Sequence, residues 1–207
     1  YAKNVTIAVE SRFGKKWVQT VNMSDYVDVQ CHRGGMGLMP ENTIEAMKNA
    51  LDMGVNTLEL DLQLSKDGVV VVSHDAYFHY RYATRPDGTP VQKGEPQEYL
   101  YKYTYDEIAK YDVGSKANPE WPERACFATK KPTLDELIDF VENYTKEQGY
   151  SPVRYNIEVK SRDADGEGIN WPIYHDLVDA CAKALISKHL DDRLVVQCFD
   201  TRTLNYM

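Results

Sequence analysis

Leu58-Glu59-Leu60-Asp61-Leu62-Gln63-Leu64 alternates apolar and polar side chains at every position. Successive side chains of a strand face opposite sides, so the four leucines share one face and Glu59, Asp61 and Gln63 share the other. Taken alone, the stretch fits an antiparallel strand with one wet face. Its surroundings suggest something else. Upstream, residues 27–32 read as a strand with Asp28, Gln30 and His32 on one face. The chain then breaks into Arg33-Gly34-Gly35-Met36-Gly37, a loop in which backbone can approach a ligand closely. Asn42, with Glu45 three residues on, is placed to cap a helix that carries Ile44, Met47 and Leu51 on one face and stops at Gly54. Downstream, Lys66-Asp67-Gly68 is a tight turn, and residues 69–74 form a further strand ending in His74-Asp75.

The second half of the chain repeats this plan. Thr133 and Glu136 cap a helix that runs to about residue 147, before Gly149. Residues 155–160 form a strand with Asn156, Glu158 and Lys160 on one face. A helix over 173–189, a strand over 194–199 and the opening of another helix at residue 200 follow. Strands alternating with helices predict an α/β fold with a parallel sheet, and both faces of such a sheet are buried. The polar faces then have to converge inside a barrel, near the C-terminal ends of the strands. The expected architecture is a TIM (β/α)8-type barrel over 27–207, with motifs for only about its first five strands. Residues 1–26 are expected to form a hairpin or extended arm, with strands at 5–9 and 16–21 around a turn at 11–15. Residues 76–131, rich in Tyr, Pro and Gly, read as an insertion after the third strand, with one short helix near 105–111. It either folds against the barrel mouth and offers aromatics to a ligand or is an inert surface excursion.

The bulk numbers narrow the field. At 207 residues one domain suffices, and 43% hydrophobic with 27% charged residues is ordinary globular composition. A net charge of −8 argues against nucleic acid or an anionic membrane surface as the main partner. No apolar run approaches the roughly 20 residues of a membrane helix. Cys31, Cys126, Cys181 and Cys198 are scattered without a C-x-x-C pair, which disfavours zinc and a disulfide framework. The start at Tyr1 rather than Met fits a processed chain, whether secreted, periplasmic or trimmed. If five strands were the whole barrel, its open edge would favour oligomers or strand exchange.

The polar faces carry chemistry. Glu59, Asp61 and Glu158 offer hard oxygen ligands suited to one divalent cation, Mg²⁺ or Ca²⁺, rather than Zn²⁺. The alternative is that each pairs with a base, as Lys160 can for Glu158. His32 and His74, both at strand ends, can move protons near neutral pH. Arg33 offers a planar fork to a phosphate and Lys160 a point charge. Together these describe machinery for phosphoryl transfer.

His32-Arg33-Gly34, Glu41-Asn42-Thr43, Glu59-x-Asp61, His74-Asp75, Pro132-Thr133-Leu134 and Glu158-x-Lys160 occur in that order. In this the chain resembles the glycerophosphodiester phosphodiesterase family, and Gln197-Cys198-Phe199 looks like that family's next strand motif. The resemblance covers residue 27 to the C-terminus. It implies a TIM barrel that hydrolyses glycerophosphodiesters to glycerol 3-phosphate and an alcohol with a divalent cation. It implies His32 and His74 as the acid/base pair and Glu59, Asp61 and Glu158 as metal ligands. Arg33 and Lys160 would hold the phosphate, and Glu41 would stand at the site edge. A family route runs through a cyclic phosphate, and direct attack by water stays open. A phospholipase D-like lyase of the same superfamily and a catalytically silent phosphodiester-binding module are the alternatives.

Overall fold

The computed structural model describes two strands, β1 (Asn4–Glu10) and β2 (Lys16–Asn22), and residues 28–207. β1 and β2 pair antiparallel, Asn4 opposite Asn22 and Glu10 opposite Lys16. The expected turn at 11–15 and the first residue of the expected strand at 27–32 lie outside the described residues.

The central sheet is built from β3 (Gln30–Cys31), β4 (Thr57–Leu64), β5 (Val70–Val72), β6 (Arg154–Val159) and β7 (Leu194–Gln197). β3, β4, β6 and β7 run parallel in that order. β5 differs from the all-parallel expectation: it pairs antiparallel with β4, Leu62 opposite Val72 and Leu64 opposite Val70. The turn dictates this. Ser65 N–H donates to the Val69 carbonyl at 3.0 Å, and Gly68 sits at φ 78°, closing a tight hairpin. A parallel return needs a crossover of a dozen or more residues, and none is available there. The result is an α/β partial barrel.

Helices α1 (Ile44–Met53), α3 (Leu134–Gln148) and α4 (Tyr174–Ile186) pack on one side of this sheet, with α2 (Tyr105–Ile108) in the long segment between β5 and α3 and α5 (Thr201–Tyr206) after β7. Their apolar stripes meet the leucine face of β4. Leu58, Leu60 and Leu62 are fully buried among Met47 and Leu51 of α1, Leu137 and Ile138 of α3, and Leu177 and Cys181 of α4. Each such leucine withdrawn from water contributes roughly 2 kcal/mol. Asn42 is not the cap of α1. Thr43 is, accepting from Ala46 N–H at 3.2 Å, because Asn42 has turned to φ 56° and faces the sheet interior. α3 has the reciprocal box: Thr133 Oγ1 accepts from Glu136 N–H, and Glu136 accepts from Thr133 N–H.

The opposite face of β4 is not wet. Glu59, Asp61 and Gln63 are 5%, 1% and 2% exposed. Beyond β5 the chain folds into a second apolar cluster around Phe78, Tyr82, Leu100, Ile108, Tyr111 and Val71, with Phe78 stacked on Tyr111 at 3.6 Å between ring centroids. The aromatic richness of residues 76–131 thus supplies a core of its own. Among the described residues no helix is long and apolar enough to cross a membrane.

Candidate functional site

β4 and β6 meet in a register that sets Glu59 opposite Asn156 and Asp61 opposite Glu158. Side chains at equivalent positions of neighbouring strands stand side by side on the same face. The ligand oxygens of Glu59, Asp61 and Glu158 accordingly all lie within 4.8 Å of one another. All three residues are buried. A cleft of about 300 Å³ opens over Glu59 and Glu158, lined also by Gln30, His32, Asn156 and Gln197.

Each carboxylate is fastened separately. Glu59 Oε2 accepts the Arg33 backbone N–H at 2.6 Å. That N–H belongs to a tight loop in which Arg33 itself adopts φ 51° and Gly34 φ 75°. A Cβ at Gly34 would come within 2.8 Å of the Ala46 Cβ, so the loop reaches the helix only as glycine. Asp61 is clamped twice by Asn42: Nδ2 donates to Asp61 Oδ2 at 2.8 Å, and Asn42 Oδ1 accepts the Asp61 N–H at 3.2 Å. Glu158 receives Lys160 Nζ at 2.7 Å and the Gln197 amide at 3.3 Å.

Charge is the notable property of this cluster. Burial, reinforced by the neighbouring Asp61 charge, pushes the Glu59 carboxyl up to about 7. Lys160 Nζ lies between Glu158 and Asp61, at 2.7 and 3.2 Å. Arg33 pairs with Glu41 at 3.0 Å and brings Nε to 3.5 Å from Asp61 Oδ2. The ordinary alternative, carboxylates neutralised by bases, therefore holds only in part, because four carboxylates here face two basic side chains. Asp61 Oδ1 and Arg33 Nε are buried and make no well-aligned hydrogen bond, their contacts being the ion pairs to Lys160 Nζ at 3.2 Å and to Asp61 Oδ2 at 3.5 Å. An oxygen-only donor set with excess negative charge fits a hard divalent cation.

The two histidines are placed differently. His32 opens the loop after β3; burial, and then the Arg33 charge, lower its pKa and favour the neutral ring. His74 follows β5, where Ser73 N–H extends the ladder to the Asp61 carbonyl at 2.8 Å. Its Nδ1 lies 3.1 Å from Asp75 Oδ1. Gln63, the third polar residue of the β4 face, donates to the His74 carbonyl at 3.1 Å. The loop, β4, β5 and β6 thus bring together Arg33, Glu41, Glu59, Asp61, Glu158 and Lys160, with His32 at the cleft and His74 beside the end of β5.

The sequence model of the glycerophosphoryl diester phosphodiesterase family matches residues 32–207. The chain belongs to that family. Glycerophosphodiester phosphodiesterase of Caldanaerobacter subterraneus subsp. tengcongensis is 31% identical over 177 residues, 85% of this chain and 59% of that protein. A solved glycerophosphoryl diester phosphodiesterase from Silicibacter pomeroyi superposes with a TM-score of 0.76 at 27% identity, covering 87% of this chain and 60% of that one. A phosphodiesterase from Oleispira antarctica, solved with its product sn-glycerol-3-phosphate, superposes with a TM-score of 0.64 at 25% identity, covering 87% of this chain and 60% of that one. The chain therefore spans about three fifths of the length of these family members.

Several residues of the site are not evident from the sequence pattern. Asn42 passes for a helix cap and Gln63 for filler. Gln197 stands opposite Glu158 across β6 and β7. Lys131 and Tyr82, deeply buried and near Asp75, have no sequence signal beyond the unusual placing of a lysine before Pro132.

Proposed function

We propose that this chain carries the catalytic centre of a divalent-cation-dependent phosphodiesterase that hydrolyses glycerophosphodiesters to glycerol 3-phosphate and an alcohol. The observation that carries the reading is the buried Glu59–Asp61–Glu158 cluster in a chain of this family. These three residues would hold one Mg²⁺ or Ca²⁺, which when bound supplies Lewis-acid stabilisation of phosphate charge. Lys160 and Arg33 would meet the phosphate oxygens, with Glu41 fixing the Arg33 fork. His32, biased to its neutral form, suits the role of proton acceptor, and His74 that of its counterpart on the leaving oxygen. Asn42 and Gln63 hold Asp61 and His74 in place.

The test is turnover of glycerophosphocholine followed by ³¹P NMR. Glycerol 3-phosphate should accumulate with Mg²⁺ or Ca²⁺ and stop in EDTA. His32→Ala and His74→Ala should each lower kcat at least about 100-fold. Full activity in EDTA would remove the cation, and an accumulating cyclic phosphate would move the chain to the lyases. If no cation elicits turnover, the enzyme reading of this chain fails.

A further inference from the structure

His74 is held from behind. Its Nδ1 meets Asp75 Oδ1, and the other oxygen, Oδ2, accepts the Tyr82 hydroxyl at 3.1 Å. Tyr82 comes from the segment after β5 and is 4% exposed. Over its ring, at 5.1 Å from the centroid, lies the ammonium of Lys131, itself 4% exposed. Lys131 Nζ donates to Ser73 Oγ at 2.8 Å, and Ser73 Oγ donates to the Asp75 carbonyl at 2.8 Å. A lysine is seldom fully buried without a carboxylate partner, because losing its hydration costs several kcal/mol. Among the described residues no carboxylate makes an ion pair with Lys131 within 4.0 Å. Burial lowers its pKa; against that stand the aromatic face and, further off, the Glu41, Asp75 and Asp61 charges.

We propose that Tyr82 and Lys131 are positioning residues for His74, fixing the Asp75 carboxylate so that the imidazole keeps its proton on Nδ1 and presents Nε2 for proton transfer. The inference rests on the reading of His74 as a proton-transfer group. An ionised carboxylate only accepts hydrogen bonds, so the ring nitrogen facing Asp75 must carry hydrogen, and the other nitrogen of the neutral ring is then the acceptor. Asp75 is ionised: burial works against its charge, but the His74 hydrogen bond and the His74, Lys131 and His79 charges hold its carboxyl down at about 2. Tyr82 stays a donor, since burial and the Asp75 charge push its hydroxyl well above the ordinary phenol range. With Oδ2 taken by Tyr82, only Oδ1 is left for the ring. Swinging the Asp75 carboxylate would break both bonds at once, and Ser73, held by Lys131, ties down the backbone from which it would swing. Gln63 fixes the His74 backbone from the other side. Residues 76–131 thereby reach the His74 side of the barrel through the Tyr82 hydroxyl and the Lys131 ammonium.

Tyr82→Phe is the decisive variant, because it deletes the hydroxyl and keeps the ring against Lys131. In chain labelled with ¹⁵N-histidine, long-range ¹H–¹⁵N spectra read the tautomer of His74, assigned by its loss in His74→Gln. The neutral His74 of the unsubstituted chain should be Nδ1-protonated, and Tyr82→Phe should show a mixture of tautomers. With glycerophosphocholine, kcat should fall about tenfold at unchanged KM, a part of the 10²–10⁴-fold that a placed proton donor supplies. Lys131→Met should shift the tautomer in the same direction. An unaltered His74 tautomer in Tyr82→Phe overturns the proposal, even if the melting temperature falls. If neither the unsubstituted chain nor His74→Ala turns over substrate, the phosphodiesterase reading fails, while the tautomer comparison still decides the positioning.

Discussion

Asn42 stands at φ 56°, a left-handed conformation that Asn tolerates better than most residues, and so turns both ends of its amide to Asp61. Asn42→Ala would leave a buried carboxylate and a buried N–H short of partners and would keep the unfavourable backbone. The expected loss is about 3 kcal/mol in urea unfolding, together with weaker cation binding. A midpoint within error of the unsubstituted chain would mean that the clamp contributes nothing. Asp75 makes a prediction about acid. Its carboxyl lies at about 2 in the fold against 3.8 as the ordinary value, so the folded state gains from the ionised form. That contribution, of order 2 kcal/mol for a carboxyl mostly shielded from solvent, is complete above pH 3.8 and is lost as pH falls through 2. Asp75→Asn should flatten the fall in stability between pH 4 and pH 2, measured by urea melts at fixed pH. An equally steep fall in the variant would assign it elsewhere. The candidate ligands Glu59, Asp61 and Glu158 were legible as residue types. The Asn42 clamp was not, because an Asn before a Thr-headed helix has the same local pattern as a cap.

Among the elements, α3 shows local chemistry deciding local structure. Thr133 and Glu136 form the reciprocal box that their spacing predicts, and Thr133→Ala should cost about 1 kcal/mol by thermal or urea unfolding. A loss below about 0.3 kcal/mol would show the end of α3 to be held by Pro132 and the core alone. β4 shows the converse. Its alternation specified which side chains share a face, but the direction of each face came from its neighbours. Leu60→Ala should cost about 2–5 kcal/mol, since the leucine is fully buried between the sheet and its helices. β5 was legible as a strand while its direction was not read correctly, although the short turn before it forbids a parallel return.

For the whole molecule, the carboxylate cluster couples cation binding to folding. Glu59 lies at about 7 in the fold and 4.5 is its ordinary value, so the fold prefers it protonated. Without a cation, that preference stabilises the chain fully below pH 4.5 and is lost as pH rises through 7. Mg²⁺ or Ca²⁺ at 100 times its Kd should restore about 2.7 kcal/mol, or roughly 5–10 °C in Tm for a chain of this length, at pH 8. Glu59→Gln should melt higher than the unsubstituted chain in EDTA at pH 8 and gain nothing from added cation. Differential scanning calorimetry reads both. A cation-dependent rise that survives in Glu59→Gln would place the ion elsewhere.

The sequence by itself determined the alternation of strands and helices, the polar and apolar faces of each strand, the caps of α3 and the order of motifs shared with the family, because these depend on neighbours within a few residues. Only the tertiary structure decided that the polar face of β4 is buried, that Asp61 stands opposite Glu158, that β5 turns back on β4, and that Tyr82 and Lys131 stand behind His74. These depend on strand register and on contacts between residues tens of positions apart. A one-residue slip between β4 and β6 would have put Glu158 on the helix side and left no cluster. Which residues can hold a cation is written in the chain, and whether they meet is a property of the sheet.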